Sequence, residues 1–301
     1  MPRLFLSAGR VILRSLVCAM CIEAASLAQA PKPAAPVEPG PAMVEQPCPP
    51  ALELPEGARD LLVDLFIEPR ALGAPDLARL TNNAQFKTFN EENRRRVSGD
   101  WAAVCRFHWS NASLRAGREP ARVVFMGDSI TENWGLADPE LFSHGVLDRG
   151  ISGQTSQQML VRFYSDVVAL RPRVVLILAG TNDIAGNTGP NSPQDFQNDI
   201  ISMAQLARAN GIEVVLCSIP PTAGFNWRPQ LDPKPWIKQL NGWLRTYASR
   251  NRFKFVDYYP LLVGPSGEFR SDLSNDGVHP NRNGYRLMRA LVEKEVLQTV
   301  R

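Results

Sequence analysis

The chain has 301 residues, 44% hydrophobic and 21% charged, the balance of a folded globular protein with room for one large domain plus an extension, or for two domains. A formal charge of +3 is too small to be a nucleic-acid footprint. The five cysteines and three histidines form no cluster with metal-ligand spacing, so neither a metal nor another cofactor is expected.

Taken in order, the chain opens with Arg3, Arg10 and Arg14 around an apolar run over 16–22 that is too short to span a bilayer. Ser26-Leu27-Ala28 then supplies small residues for cleavage, with a cut after Ala30 as a second option. Residues 1–28 therefore read as a secretory signal, against the alternative of a buried N-terminal helix. Glu23 is out of pattern, and Cys18 and Cys21 lack the small residue that precedes a lipidated cysteine. Export predicts a periplasmic or secreted protein, near neutral, with no transmembrane helix in its mature part. Residues 29–50, rich in Pro and Ala, predict an extended linker.

Residues 51–120 predict a helical N-terminal extension. Apolar residues recur at helical spacing: Leu61, Leu62, Leu65 and Phe66, then Leu77 and Leu80, then Trp101, Val104 and Phe107. The charged stretch 90–96 reads as a solvated helical face, and nothing here suggests a function. Cys48 and Cys105 flank this segment and either form one disulfide in an oxidising compartment or remain two thiols; Cys217 reads as core.

From 121 to 301 strand and helix patterns alternate. Short β-branched runs predict strands at 121–127, 145–149, 173–179, 212–218 and 253–257, with helices near 154–169, 194–210, 234–250 and 283–298. Buried strands alternating with helices predict a parallel sheet covered on both faces.

Candidate chemistry sits where strands end. Val123-Val124-Phe125-Met126 runs into Gly127-Asp128-Ser129, a strand, a glycine turn and then helix-capping residues. That order lifts the Ser129 hydroxyl out of the sheet and leaves its amide near a helix N-terminus, where N–H groups stabilise an oxyanion. The alternative is a serine that only caps a helix. A serine needs a base. His108 and His144 read as structural and surface residues, whereas His279 follows Asp276 by three residues in Asp-Gly-Val-His-Pro. Asp276 can fix the tautomer of His279, which leaves the other ring nitrogen to take the Ser129 proton. The alternative is an Asx-turn with an exposed histidine. Gly153 can bring its amide close for want of a Cβ, and Asn182 can offer its side-chain NH₂; Asp128 and Asp183 read as turn and capping residues.

The four ordered blocks around Ser129, Gly150-Ile151-Ser152-Gly153-Gln154-Thr155-Ser156, Gly180-Thr181-Asn182-Asp183 and Asp276-Gly277-Val278-His279-Pro280 resemble the SGNH (GDSL) hydrolase superfamily over 121–298. The second block resembles the bacterial thioesterase/lysophospholipase and arylesterase branch. Ile130 stands where the GDSL name has leucine, an apolar exchange. The resemblance implies a three-layer α/β/α sandwich on a parallel, flavodoxin-like five-stranded sheet. It also implies a Ser129, His279, Asp276 triad with an oxyanion hole from Ser129, Gly153 and Asn182.

For the substrate side, Trp134, Phe225, Trp227 and Trp236 are candidate contacts; the last three sit on a loop that is equally readable as its own small core, and Trp134 is equally readable as a core residue. The expected function is an exported serine esterase acting on a small-molecule, lipid or glycan ester, with lysophospholipid, thioester or aryl ester substrates ahead of carbohydrate O-acetyl groups. The different-class alternative is a catalytically silent glycan- or envelope-binding module. A nucleotide-binding protein is disfavoured because no glycine-rich dinucleotide fingerprint follows the first strand.

Overall fold

A computed structural model describes residues 43–117 and 120–299. The leader expected over 1–28 and the linker over 29–42 lie outside the described residues. Residues 43–45 belong to a separate N-terminal unit and carry no regular element; Gln46 onward forms one compact unit.

The extension is helical: α1 (Glu56–Leu62) continues into a π-helical turn (Val63–Ile67), followed by α2 (Ala74–Asn82), α3 (Ala84–Gly99) and α4 (His108–Ala116). The alternating part follows as β1 (Val123–Gly127), α5 (Ser129–Ala137), β2 (Val146–Gly150), α6 (Ser156–Asp166), β3 (Val174–Leu178), α7 (Thr181–Ala185), α8 (Pro193–Ala209), β4 (Glu213–Cys217), α9 (Lys234–Asn251), β5 (Lys254–Val256), α10 (Tyr259–Leu262) and α11 (Arg282–Glu295). The five strands pair in parallel in the order β2-β1-β3-β4-β5.

Alternation along the strands divides the core into two layers. Val123, Phe125, Leu176 and Val215 face α5 and α11, meeting Ile130, Trp134, Tyr285 and Met288. Val124, Met126, Val175 and Leu216 face α6, α8 and α9, meeting Met159, Phe163, Ile200 and Leu240. Burial on both faces explains why these strands read as continuous apolar runs. The order reverses at β1, with β2 on one side and β3 on the other, which opens a crevice at their carboxyl ends.

Two expectations change. Trp134 is not a substrate residue: it is fully buried on α5, ringed by Phe125, Phe142, Tyr258 and Tyr285. It lies four residues after Ile130, on the helix face that covers the sheet. The linker also stops short of residue 50. Cys48 is bonded to Cys105 with Cα atoms 5.2 Å apart, the Pro49 carbonyl accepts from Trp109 Nε1 at 2.9 Å, and the Pro50 carbonyl accepts from Arg96 at 2.6 Å. Among the described residues, no helix is long and apolar enough to cross a membrane.

The disulfide spans 57 residues of sequence, and loop-closure entropy makes such a bridge worth ~4 kcal/mol. A thermal melt with dithiothreitol is expected to fall by roughly 10 °C against the oxidised protein. Identical melts would contradict a stabilising bridge.

Candidate active site

The turn that carries Ser129 is built by close packing. A Cβ on Gly127 would lie 2.0 Å from Thr131 Oγ1, so only glycine lets α5 start this near the strand. Asp128 caps α5, its Oδ1 accepting from the Ile130 N–H at 2.9 Å. Ser129 opens the helix, and its N–H has no acceptor among the described residues.

The Ser129 Oγ lies 2.9 Å from His279 Nε2, and His279 Nδ1 lies 2.7 Å from Asp276 Oδ2. The other Asp276 oxygen accepts from the N–H groups of Val278 at 2.9 Å and His279 at 2.8 Å. The Asx-turn is therefore present, yet the histidine is not exposed: its side chain is 16% accessible. Burial alone opposes ionisation of Asp276 more than any other single influence. The His279 charge and ring hydrogen bond, joined by the two N–H donors, outweigh it and hold Asp276 at about 2. For His279, burial favours the neutral ring, but Asp276 and then Asp128 raise its pKa above 6.5. Because Asp276 is an ionised acceptor near neutral pH, Nδ1 must carry the hydrogen, and a neutral ring offers its Nε2 lone pair to the Ser129 hydroxyl.

Gly153 follows β2 at φ +80°, with open space where a Cβ would point and no acceptor for its N–H among the described residues. Asn182, on α7 after β3, is already engaged. Its Nδ2 donates to Asp128 Oδ2 at 3.2 Å and to the Gln154 carbonyl at 3.1 Å. Its Oδ1 accepts from Asn187 Nδ2 at 2.7 Å, which fixes the amide orientation. Burial, reinforced by Asp183, pushes Asp128 up to about 6 despite the Ile130 N–H and the His279 charge.

Asp183 is a structural brace, accepting from the Ser156 N–H, from the Ser156 hydroxyl at 2.5 Å and from Asn191 at 2.8 Å. His108 stacks edge-on against Trp109, and His144 sits in a turn ahead of β2; neither approaches the triad residues.

The aromatic candidates separate. Phe225 is buried with Ala185 of α7 and Val278 of the His279 loop in a small cluster that ties its loop to both, while its rim borders an open cleft of about 420 Å³ beside Asp276 and Gly277. Trp227 is 46% exposed and lines a groove of about 730 Å³ with Ile184, Gly186, Arg228 and Leu231. Its Nε1 donates to Asn187 Oδ1 at 3.0 Å, which connects the groove wall to Asn182. Trp236, exposed on the first turn of α9, lines neither space.

Three contributors carry no sequence motif. Phe66, from the π-helical turn, meets the His279 ring edge-on at 6.0 Å. Asn275 is tied to the same turn, donating to the carbonyls of Leu65 and Glu68 at 2.8 and 2.7 Å. Asn187 stands between Asn182 and Trp227. A fourth, Arg162, did leave a signal: it shares with Met159, Phe163 and Asp166 the buried face of α6, where a charge pair four residues apart is out of place on a solvated-face reading.

Residues 125–287 match the GDSL-like Lipase/Acylhydrolase family. The chain is 30% identical to the esterase TesA of Pseudomonas aeruginosa over 172 residues, 52% of this chain and 79% of TesA. It is 22% identical over 221 residues to an acetylxylan esterase of Xylanibacter ruminicola, 60% of this chain and 44% of that one. The crystal structure of a GDSL-like lipase from Bacteroides thetaiotaomicron superposes with a TM-score of 0.62 at 42% identity, covering 66% of this chain and 98% of that one. With its sheet order, its strand-end blocks and these likenesses in agreement, the chain belongs to the GDSL-like lipase/acylhydrolase family and is an ester-hydrolysing enzyme.

Proposed function

We propose that the protein is an exported serine esterase that forms an acyl-enzyme on Ser129, with His279 as base and Asp276 as its orienting partner. The observation that carries this reading is the unbroken chain from Ser129 Oγ through both ring nitrogens of His279 to an ionised Asp276. Ser129 Oγ adds to the ester carbonyl carbon while its proton passes to His279 Nε2. The negative oxygen that results is held by the N–H groups of Ser129 and Gly153 and by the Asn182 amide. Collapse breaks the bond to the leaving oxygen, which departs as the alcohol with the proton from His279. Water then repeats the sequence on the acyl-enzyme: His279 takes its proton, the acid leaves, and the proton returns to Ser129 Oγ. The intact Ser–His–Asp chain speaks against a silent binding module.

The groove beside Asn187, with Ile184, Ala185, Leu231 and Trp227 along it, supports an apolar acyl group. The second reading, removal of acetyl from carbohydrate, rests on exposed Trp227 with its polar neighbours Arg228 and Gln230 and on the likeness to an acetylxylan esterase. The Cys48–Cys105 bridge supports an oxidising compartment, periplasmic or extracellular. Among p-nitrophenyl esters, kcat/KM is expected to rise about tenfold or more from acetate to octanoate. A profile that falls with chain length, beside turnover of acetylated xylo-oligosaccharide, would instead favour the second reading.

The reactive form carries neutral His279, so kcat/KM is expected to rise with pH through the histidine's titration. Since Asp276 and Asp128 raise that pKa, the half-maximal point should lie above 6.5. The same shift predicts the opposite slope in stability: the contribution of charged His279 is fully present below 6.5 and is lost as pH rises through the folded pKa. A flat profile from pH 5 to 9 would remove His279 from the reaction.

Ser129→Ala is expected to abolish turnover, and Asn182→Ala to lower kcat by roughly 10²–10³-fold. Steady-state kinetics beside a thermal melt checks both. A folded Asn182→Ala enzyme with wild-type kcat would take Asn182 out of the oxyanion site.

A further inference from the structure

Residues 100–106 of the extension lie ahead of the 125–287 stretch that matches the family, yet they reach the loop that carries Gly153 from two sides. On one side, Glu132 Oε2 accepts from the Ser152 N–H at 2.8 Å and from the Ser152 hydroxyl at 2.5 Å. Its other oxygen is held by Arg106 Nη2 at 3.0 Å, and Arg106 Nη1 in turn donates to the Leu52 carbonyl at 3.0 Å. On the other side, buried Gln154 donates its Nε2 to the Ala102 carbonyl at 2.8 Å, and Gln158 donates to the Trp101 carbonyl at 2.6 Å. The segment that supplies these groups is itself rigid. Asp100 accepts from the N–H groups of Val104 and Cys105 at 2.9 and 2.8 Å, and Cys105 is bridged to Cys48. Gly153 is thus the one residue of the run 152–154 with no hydrogen bond of its own N–H, caught between two neighbours that are both clamped.

We propose that residues 100–106 and Glu132 form a clamp that sets the Gly153 N–H toward the oxyanion, with Arg106 and Glu132 as its positioning residues. This rests on the oxyanion role given to Gly153 above. A glycine at positive φ with open space where a Cβ would point has several accessible conformations; the Gly153 carbonyl accepts only a long 3.5 Å bond from Asn187, so restraint of its neighbours sets the direction of its N–H. Displacement of a reacting group by about 1 Å costs up to ~10²-fold in rate, so the clamp acts on kcat rather than on substrate affinity. Arg106 contributes through Glu132: without the guanidinium, the carboxylate is free to turn from Ser152 toward water.

The test uses full-length Glu132→Ala, Arg106→Gln and Arg106→Lys, with Arg79→Gln as control because Arg79, among the described residues, pairs with Asp64 and Asp76 and not with the clamp. Kinetics on p-nitrophenyl butyrate are read with the inhibition constant of benzeneboronic acid, which makes a tetrahedral adduct on a serine hydroxyl. Glu132→Ala is expected to lose about 10- to 10²-fold in kcat with KM nearly unchanged, and to weaken boronate inhibition in parallel. Arg106→Gln should lose less, and Arg106→Lys should recover most of that loss. The acid limb of the pH profile should not move, since Ser129 and His279 are untouched. Wild-type kcat and boronate affinity in folded Glu132→Ala would overturn the clamp. If that variant does not fold, wild-type values in Arg106→Gln overturn it instead. Turnover surviving in Ser129→Ala would bring down the underlying site reading, whereas inactive Ser129→Ala beside fully active clamp variants brings down the clamp alone.

Discussion

One buried guanidinium holds the mouth of the sheet together. Arg162, with no accessible surface, donates to Gln154 Oε1 at 2.6 Å, to Asp166 at 2.9 Å, to the Gly127 carbonyl at 3.1 Å and to the Arg149 carbonyl at 2.8 Å. Gly127 ends β1, Arg149 is the last residue but one of β2, and Gln154 follows Gly153. A single planar fork therefore spaces the turn that carries Ser129 from the loop that carries Gly153. Desolvation lowers the Arg162 pKa, and the ion pair with Asp166 opposes it. Such a pair is retained only when fully bonded, because removing one partner strands a buried charge at a cost of about 3–5 kcal/mol. Beside it Arg149 stacks on Phe107 at 4.6 Å and is bonded by Asn111, which also donates to Asp166. Phe107 and Asn111 belong to the extension, so the extension is part of the foundation of the site.

Environment then separates the carboxylates by role. Asp276, with two N–H donors and a facing imidazole, is held at about 2 and is an acceptor throughout the working range. Asp128 and Asp183 are pushed to about 6, because their burial outweighs the hydrogen bonds they accept. The Ser156 hydroxyl bridges Asp183 at 2.5 Å and Asp199 at 2.7 Å; one hydroxyl proton serves only one of them, which accords with a carboxyl proton retained there. Groups of one chemical type thus differ by burial, donors and neighbouring charge.

Much of the fold was legible because the information is local. Strands buried on both faces must be apolar, and each expected strand lies within a residue or two of the observed one. Ser129 was readable from a strand meeting a glycine turn, and His279 from its three-residue spacing to Asp276. Trp134 was left open between substrate and core although the signal existed: Ile130, Trp134 and Ala137 share one helical face, and that spacing assigns the tryptophan to the core. What had no local signature was long-range polar pairing. Arg106 with Glu132, Asn275 with the π-helical turn, and Asn187 with Trp227 join residues 26 or more apart, and nothing in composition or period marks such partners. The Cys48–Cys105 bridge stayed open for the same reason, since proximity in space decides it.

The central claim is that Ser129 is the nucleophile activated by His279. Peptide mapping by mass spectrometry after exposure to a fluorophosphonate tests it most directly, because phosphonylation needs an activated hydroxyl and leaves a permanent mark. The account predicts one adduct, on the peptide that contains Ser129, forming faster as pH rises through the His279 titration and absent from Ser129→Ala. An adduct on a different residue, or none on the folded protein, would contradict it.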